Sequence, residues 1–301
     1  MTWCDATLGL DPAAEAMTQE ELVLAEARLA GLPLADLVRG WREAGTVGLR
    51  QRTSGVHRFS MYFDRLGHDD PERALAFIEA MVIHEPDDAL VALMAQDKLL
   101  SQLVHFNAAR VIDGLEALAA RLPRLRWLLG ALAWAFRGGM VEDPAVARRL
   151  CALADEDAYK AWEADHKAGR EIIDFTALPP TELARHWVVL TAYSPLERER
   201  DDNAAALFDH QWELGKEEPE RALALVKEIV RIEAHPRMLG LLAAGLVEDL
   251  LAAHGPAVID AIEAEAHGNL RFRQMLAGVW TSGIDPQVAQ RLDNAIAITA
   301  T

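Results

Sequence analysis

Two adjacent carboxylates, Glu248 and Asp249, are the only charged residues between Met238 and Ala253, a stretch that otherwise reads as the core face of a helix. A carboxylate carried into a core must be paired, or its pKa rises. Paired carboxylates are also raw material for acid–base and metal-assisted chemistry. The cations that could answer them are Arg271 and Arg273. Residues two apart on a helix point in roughly opposite directions, so only one of the two arginines can face inward. Glu248, Asp249, Arg271 and Arg273 form the candidate polar site. Its structural alternative is a cap or packing role for the acid pair, with the arginines answered by Asp260 and Glu263 instead.

Other groups carry less. His68-Asp69-Asp70 has the look of a metal-phosphohydrolase pair, but it precedes a helix start and lacks a companion histidine motif. Glu263 and His267 share a helical face at i,i+4 and could form half of a metal site, with no second half at comparable spacing. Asp165-His166 and Asp209-His210 read as exposed. His254, before Gly255, reads as a helix C-terminal residue facing the dipole. Cys151 sits in an apolar helix, where burial is expected over reactivity. The arginines at 121, 124, 126, 137, 148 and 149 spread over several helical faces and suggest ion pairing more than an anion site. Trp41, Trp187, Trp127 and Trp134 are expected in the core. No nucleotide-binding, nucleophile-elbow or zincin signature occurs, so no catalytic residue, cofactor or metal ligand is assigned.

The elements that would position these groups are legible. Asp70-Pro71, Asp143-Pro144, Glu218-Pro219 and Asp285-Pro286 each set an acid before a proline that opens an apolar-periodic run. Proline at the first helical position loses no bond, and an acid there suits the helix dipole. Thr18 and Glu21 have capping-box spacing. Gly31, Gly45, Gly67, Gly215 and Gly268 fall where helices are expected to stop. No strand-type alternation bounded by turns appears. The composition is 51% hydrophobic and 26% charged, rich in Ala, Leu, Glu and Arg, which favours helix. The expected fold is all-α.

The chain also repeats itself. Leu37-Val38-Arg39-Gly40-Trp41 matches Leu183-Ala184-Arg185-His186-Trp187, and Pro71-Glu72-Arg73-Ala74-Leu75-Ala76 matches Pro219-Glu220-Arg221-Ala222-Leu223-Ala224. Val111-Ile112-Asp113 and Glu116 match Val258-Ile259-Asp260 and Glu263. Arg124-Leu125-Arg126 matches Arg271-Phe272-Arg273, and Asp143-Pro144 with Arg149-Leu150 matches Asp285-Pro286 with Arg291-Leu292. Collinear matches at a nearly fixed offset imply a tandem duplication, packed as a bundle or short superhelix. The expected division is a one-helix N-terminal extension (1–30), a first copy (31–152), a helical connector (153–176) and a second copy (177–301). In the first copy the acid pair is replaced by Ser101-Gln102, so Glu248-Asp249 is surplus to what the repeated unit needs. The shared acids 113/260 and 116/263 are expected to pair with the arginines at 124/126 and 271/273.

The second copy carries the string Leu241-Leu242-Ala243-Ala244-Gly245-Leu246-Val247-Glu248-Asp249-Leu250-Leu251, then His254-Gly255, Ile259-Asp260-Ala261-Ile262-Glu263, Arg271-Phe272-Arg273 and Gly278-Val279-Trp280. This resembles a bacterial domain-of-unknown-function family with the pattern LAAGPLEDLL…IdrIE…PrFR…GgVW, over about 237–282. Leu246 stands where the family has proline, and Asn269-Leu270 where it tends to have Asp-Pro. The resemblance implies kinship and no chemistry.

Charge bounds the partners. The formal net charge is −17, with 21 acidic against 16 basic residues in 1–150 and 26 against 14 in 151–301. Duplex nucleic acid needs a basic face to replace its counterions, so it is disfavoured, and a basic partner is favoured. The longest apolar stretches, 127–136 and 238–247, fall short of the roughly 20 residues of a membrane span. The opening residues lack a basic region and apolar run, and two cysteines fit a reducing cytoplasm. The leading expectation is a non-enzymatic protein-interaction module, with a neutralising or immunity-type partner of a basic protein as one form. The alternative is a ligand-binding protein or enzyme using the acidic site of the second copy.

Overall fold

The computed structural model describes residues 2–10, 18–96, 99–167 and 171–297. Its helices are α1 (Trp3–Leu8), α2 (Gln19–Gly31), α3 (Leu34–Thr46), α4 (Ser54–Asp69), α5 (Pro71–His84), α6 (Asp88–Gln96), α7 (Leu99–Arg121), α8 (Pro123–Gly130), α9 (Ala133–Arg137), α10 (Pro144–Leu153) and α11 (Glu156–His166). There follow α12 (Pro180–Thr191), α13 (Pro195–Glu199), α14 (Asp202–Glu217), α15 (Pro219–Ile232), α16 (Pro236–Leu242), α17 (Glu248–Gly268), α18 (Leu270–Leu276) and α19 (Pro286–Ile296). No β-strand occurs among the described residues. The fold is all-α, as composition and patterning require.

Local chemistry sets the helix starts. The Asp70 carboxylate accepts from Arg73 N at 3.1 Å, Asp143 from Ala145 N at 2.7 Å and Asp285 from Gln287 N at 2.8 Å, each one residue ahead of a proline. Each cap satisfies amides that the first turn leaves without partners. Thr18 and Glu21 form the expected capping box. Glu218 differs: its longer side chain makes no cap bond and turns to Arg221 at 3.3 Å. The N-terminal extension holds two helices, α1 and α2, where one was expected. α1 is opened by a Thr2–Asp5 capping box, and the buried Asp5 accepts from Gly55 N at 2.9 Å, which ties it to α4.

The chain divides into two compact units, residues 1–170 with 194–200, and 171–193 with 201–301. In the first, α7 runs for 23 residues through the middle and packs on α4, α5, α6 and α10. Trp41 of α3, Phe63 of α4 and Phe77 of α5 cluster together, with Trp41 and Phe63 centroids 4.9 Å apart, edge to face. Trp41 Nε1 donates to Leu90 O at 2.9 Å. α11 packs on α8 through Trp127, Tyr159 and Trp162. In the second unit the central element is a continuous 33-residue helical run, Pro236–Gly268. It joins α16 to α17 through a π-helical turn at 243–247, then bends at His254 (φ −134°), two residues before Pro256. Proline removes a helix hydrogen bond and crowds the turn before it. By length and composition the run could cross a membrane, which neither apolar stretch alone could, yet it packs as a core helix against α14, α15, α18 and α19.

Gly67 and Gly215 lie inside α4 and α14, two residues short of their ends, and so are not stop signals. They mark close helix approach. A Cβ at Gly67 would overlap Leu99 O and stand 2.7 Å from Leu103 N, both backbone atoms of α7. At Gly215 it would meet Asp249 Cβ and Leu246 Cδ1 at 3.3 Å. Gly67→Ala is therefore expected to destabilise the protein by about 1–3 kcal/mol through overpacking. Gly31→Ala, with nothing within 4 Å, should be neutral or stabilising by up to roughly 1 kcal/mol. Urea denaturation of the two variants checks the ordering.

Candidate functional site

The four residues of the candidate polar site do not converge. Glu248 opens α17, and its Oε1 accepts from Trp280 N at 2.6 Å, which holds the chain after α18. Asp249 is half-buried and has no hydrogen-bond or ion-pair partner among the described residues. Arg271 Nη1 donates to the carbonyls of Val230 (3.0 Å), Arg231 (3.3 Å) and Glu233 (3.4 Å), at the end of α15. Arg273, 7% exposed, donates to Ala266 O at 2.5 Å and His267 O at 3.3 Å, at the end of α17. Both arginines thus satisfy carbonyls that helix C-termini leave orphaned, with a charge that suits the dipole. Arg124 does the same for Val82 O and Glu85 O at the end of α5.

The shared acids have a different partner from the one expected. Arg149 Nε binds Glu116 Oε1 at 2.7 Å, and its Nη2 binds Asp113 Oδ1 at 2.5 Å and Glu116 Oε2 at 2.7 Å. Arg291 Nε binds Glu263 Oε1 at 2.8 Å, and its Nη2 binds Asp260 Oδ1 at 2.6 Å and Glu263 Oε2 at 2.5 Å. The guanidinium fork fits a carboxylate with two parallel bonds. It holds the Glu116 and Glu263 carboxyls below the usual carboxylate range and pushes both arginines up. Glu263 is therefore engaged at both oxygens and cannot form half of a metal site with His267. Among the described residues no cluster of three or more His, Cys, Asp or Glu could hold an ion.

The remaining groups divide between surface and core. His68 pairs with its neighbour Asp69 at 2.7 Å in the open, while Asp70 caps α5. His210 is buried rather than exposed; its Nε2 has no hydrogen-bond partner, and burial, then Arg221, lowers its pKa. His166 stacks on Trp162 at 4.8 Å. His254 sits at the kink inside α17, where one helical run ends and the next begins, with Nε2 2.6 Å from Lys216 O. Of the basic run, Arg121, Arg124, Arg137 and Arg149 are ion-paired, and Arg148 Nε donates to Pro144 O. Cys151 is half-buried. Trp41 and Trp187 are in the core, Trp127 is partly buried, and Trp134 is 68% exposed, against expectation. Apolar area drives burial but does not dictate it for each residue.

Two acids escaped the sequence reading. Glu85 and Glu233, 2% and 6% exposed, follow α5 and α15. Glu85 receives Arg42 at 2.7 Å and Asp87 N at 3.1 Å, and Glu233 receives Ala234 N and His235 N at 2.8 Å each. Their recurrence 148 residues apart was the available signal.

What Asp249 does border is a cleft of about 630 Å3 in the second unit. Trp187 of α12 and Gln211 of α14 form its floor, joined by a 2.6 Å bond from Trp187 Nε1 to Gln211 Oε1. Phe208, Trp212 and Leu241 line its rim and are exposed, Trp212 by 53%. Ala244 and Gly245 of the π-helical turn form one wall. Asp209 and Asp249 flank it, and Asp209 also lacks a polar partner among the described residues. Lys216 Nζ lies 3.4 Å from the centroid of the Trp212 ring. The first unit has a smaller cavity, about 230 Å3, lined by Trp41, Phe63, Asp64 and Leu93, with Pro195 and Arg198 of α13 on its margin.

Residues 196–299 match a family described as a family of unknown function (DUF6869). No curated protein matches the chain, and no solved structure does.

Two expectations follow. Arg273→Ala should cost about 2–3 kcal/mol, because two charged hydrogen bonds are lost, one of them to the buried Ala266 carbonyl. Arg126→Ala, at the matched but exposed position, should change stability by under about 0.5 kcal/mol; chemical denaturation compares them. The depressed carboxyls of Glu116 and Glu263 stabilise the fold above their unfolded pKa, and that contribution is lost as pH falls through the folded value. Arg291→Met should therefore melt below the wild type at about pH 7, with the gap narrowing as acidification takes the solution below the usual carboxylate range. Calorimetry across this range reads it.

Proposed function

We propose that this chain is a non-enzymatic protein-interaction module built from two copies of one helical unit, and that the second unit's cleft docks a basic protein. The observation that carries the reading is the exposed set Phe208, Trp212 and Leu241 beside two carboxylates with no partner among the described residues. Apolar surface rimmed by polar residues is the composition of interaction sites, and Trp is enriched among the residues that dominate binding energy. The net charge of −17 speeds encounter with a basic partner. A neutralising or immunity-type role towards a basic protein is one form this takes, in a cytoplasm that keeps Cys4 and Cys151 reduced.

Support for the duplication is geometric as well as sequential. Arg149 and Arg291 bind equivalent acid pairs; Arg124 and Arg271 serve the ends of α5 and α15. Arg73 donates to Leu29 O and Leu32 O ahead of α3, as Arg221 donates to Thr176 O and Leu178 O ahead of α12. These pairs stand 142–148 residues apart. The rival reading, a ligand site or active site at Glu248 and Asp249, loses its cations, because Arg271 and Arg273 are engaged at helix ends.

The test is affinity capture from the native host at physiological salt with wild type and with a Phe208→Ala/Trp212→Ala variant. The expected outcome is an identifiable basic protein retained by the wild type and lost by the variant. Urea denaturation of the variant checks that it remains folded, so that lost capture reads the surface and not the fold. No captured protein, or one held equally by both, sinks the reading.

A further inference from the structure

The first unit holds, in the place where the second has an open cleft, a short piece of chain. Trp41, Phe63, Asp64 and Leu93 around the smaller cavity stand 146 or 148 residues before Trp187, Gln211, Trp212 and Leu241 around the larger. In the first unit, α13 packs against α3 and α6 and lines that cavity. Pro195 and Leu196 are buried there, and Leu196 belongs to the first unit's hydrophobic core. Ser194 and Glu197 cap the turn reciprocally. Arg200 Nη2 reaches Asp87 Oδ2 at 3.0 Å, and Arg198 borders the cavity with Asp64. The occupant is thus a capped single turn with a proline–leucine anchor, followed by Arg200, which meets an acid, and Arg198, which shares the cavity lining with another. About 230 Å3 remains beside it, against about 630 Å3 in the second unit.

We infer that the partner bound by the second cleft presents the same kind of segment: a capped helical turn with an apolar anchor, then two arginines at i+2 and i+4 from it. This rests on the docking reading above and names what docks. The leucine-type anchor would cover the Trp187–Gln211 floor between Phe208, Trp212 and Leu241. The arginines would meet Asp209 and Asp249, whose carboxylates lack partners and would gain them on binding. A second copy of this chain fits poorly as occupant. Its own 194–200 segment is already buried in its first unit, and two chains at −17 repel.

The experiment uses the full chain and a synthetic, fluorescently labelled peptide, Ala-Tyr-Ser-Pro-Leu-Ala-Arg-Ala-Arg-Asp. This follows the chain's own 192–201 order with alanine in place of both glutamates. Anisotropy titration should give saturable binding that weakens when salt rises from roughly 50 to roughly 300 mM. A peptide with aspartate for leucine should bind at least about tenfold more weakly. Trp212→Ala in the protein should have a similar effect, and this variant separates the second cleft from displacement of α13 in the first unit. Asp209→Asn/Asp249→Asn should flatten the salt dependence. No saturation by about 1 mM, equal binding of a scrambled peptide, or binding indifferent to Trp212→Ala overturns the inference. If the host partner is captured through Trp212 but the peptide does not displace it, this occupant falls and the docking surface stands. If both capture and peptide binding fail, both fall.

Discussion

Every helix leaves four carbonyls without partners at its C-terminal end, and a chain built from so many short helices has many such ends to satisfy. Arginine is the answer used here. Arg73, Arg221, Arg124, Arg271 and Arg273 each carry guanidinium N–H groups to carbonyls at the end of a neighbouring segment. All but the contact of Arg273, which reaches back six and seven residues, join elements distant in sequence, so they fix how helices meet as well as how they stop. They also decide the fate of the polar groups nearby. Once Arg271 and Arg273 cap α15 and α17, neither is left for Glu248 and Asp249, and the two acids part company. Glu248 turns to the Trp280 amide, and Asp249 is left at the rim of the cleft.

Local signals in the sequence translate well because their partners lie within one turn. An aspartate before proline reaches amides two or three residues on, and three of the four such starts form that cap. Glu218 fails because one more methylene places its carboxylate beyond the cap position. Pairings across helices are less legible. The recurring acids 113/260 and 116/263 and the recurring arginines 149/291 were both visible, yet recurrence says which residues matter and not which of them touch. That depends on α10 lying against α7 and α19 against α17, which no local rule supplies. Trp134 and Trp41 show the same limit, since equal apolar area ends outside in one case and inside in the other.

The cleft was invisible for a further reason. Its wall is the π-helical turn at 243–247, and such turns follow from packing against neighbours rather than from residue type. Gly245 there would place a Cβ 3.3 Å from Gln211 Nε2, and Gly215 one about as far from Leu246 and Asp249. Small residues on both sides let α14 approach the central helix closely, and Asp249 is brought to the groove by that approach. Of the acid pair only Asp249 lines the cleft, and it does so by position and not by pairing with an arginine.

The two cavities argue most by how their rims differ. Where the first unit has Ser60 and Asp64 on α4, the second has Phe208 and Trp212 on α14. A groove covered by α13 can carry polar residues beside a buried leucine, because that leucine supplies the apolar contact. A groove left open to water would be expected to become more polar, since exposed aromatic surface invites association. The second unit has gone the other way and exposes Phe208, Trp212 and Leu241 together. Scattered apolar residues need no explanation, but three lining one cleft between two carboxylates without a partner among the described residues do. The partner segment proposed above would bury the aromatics and pair the acids at once.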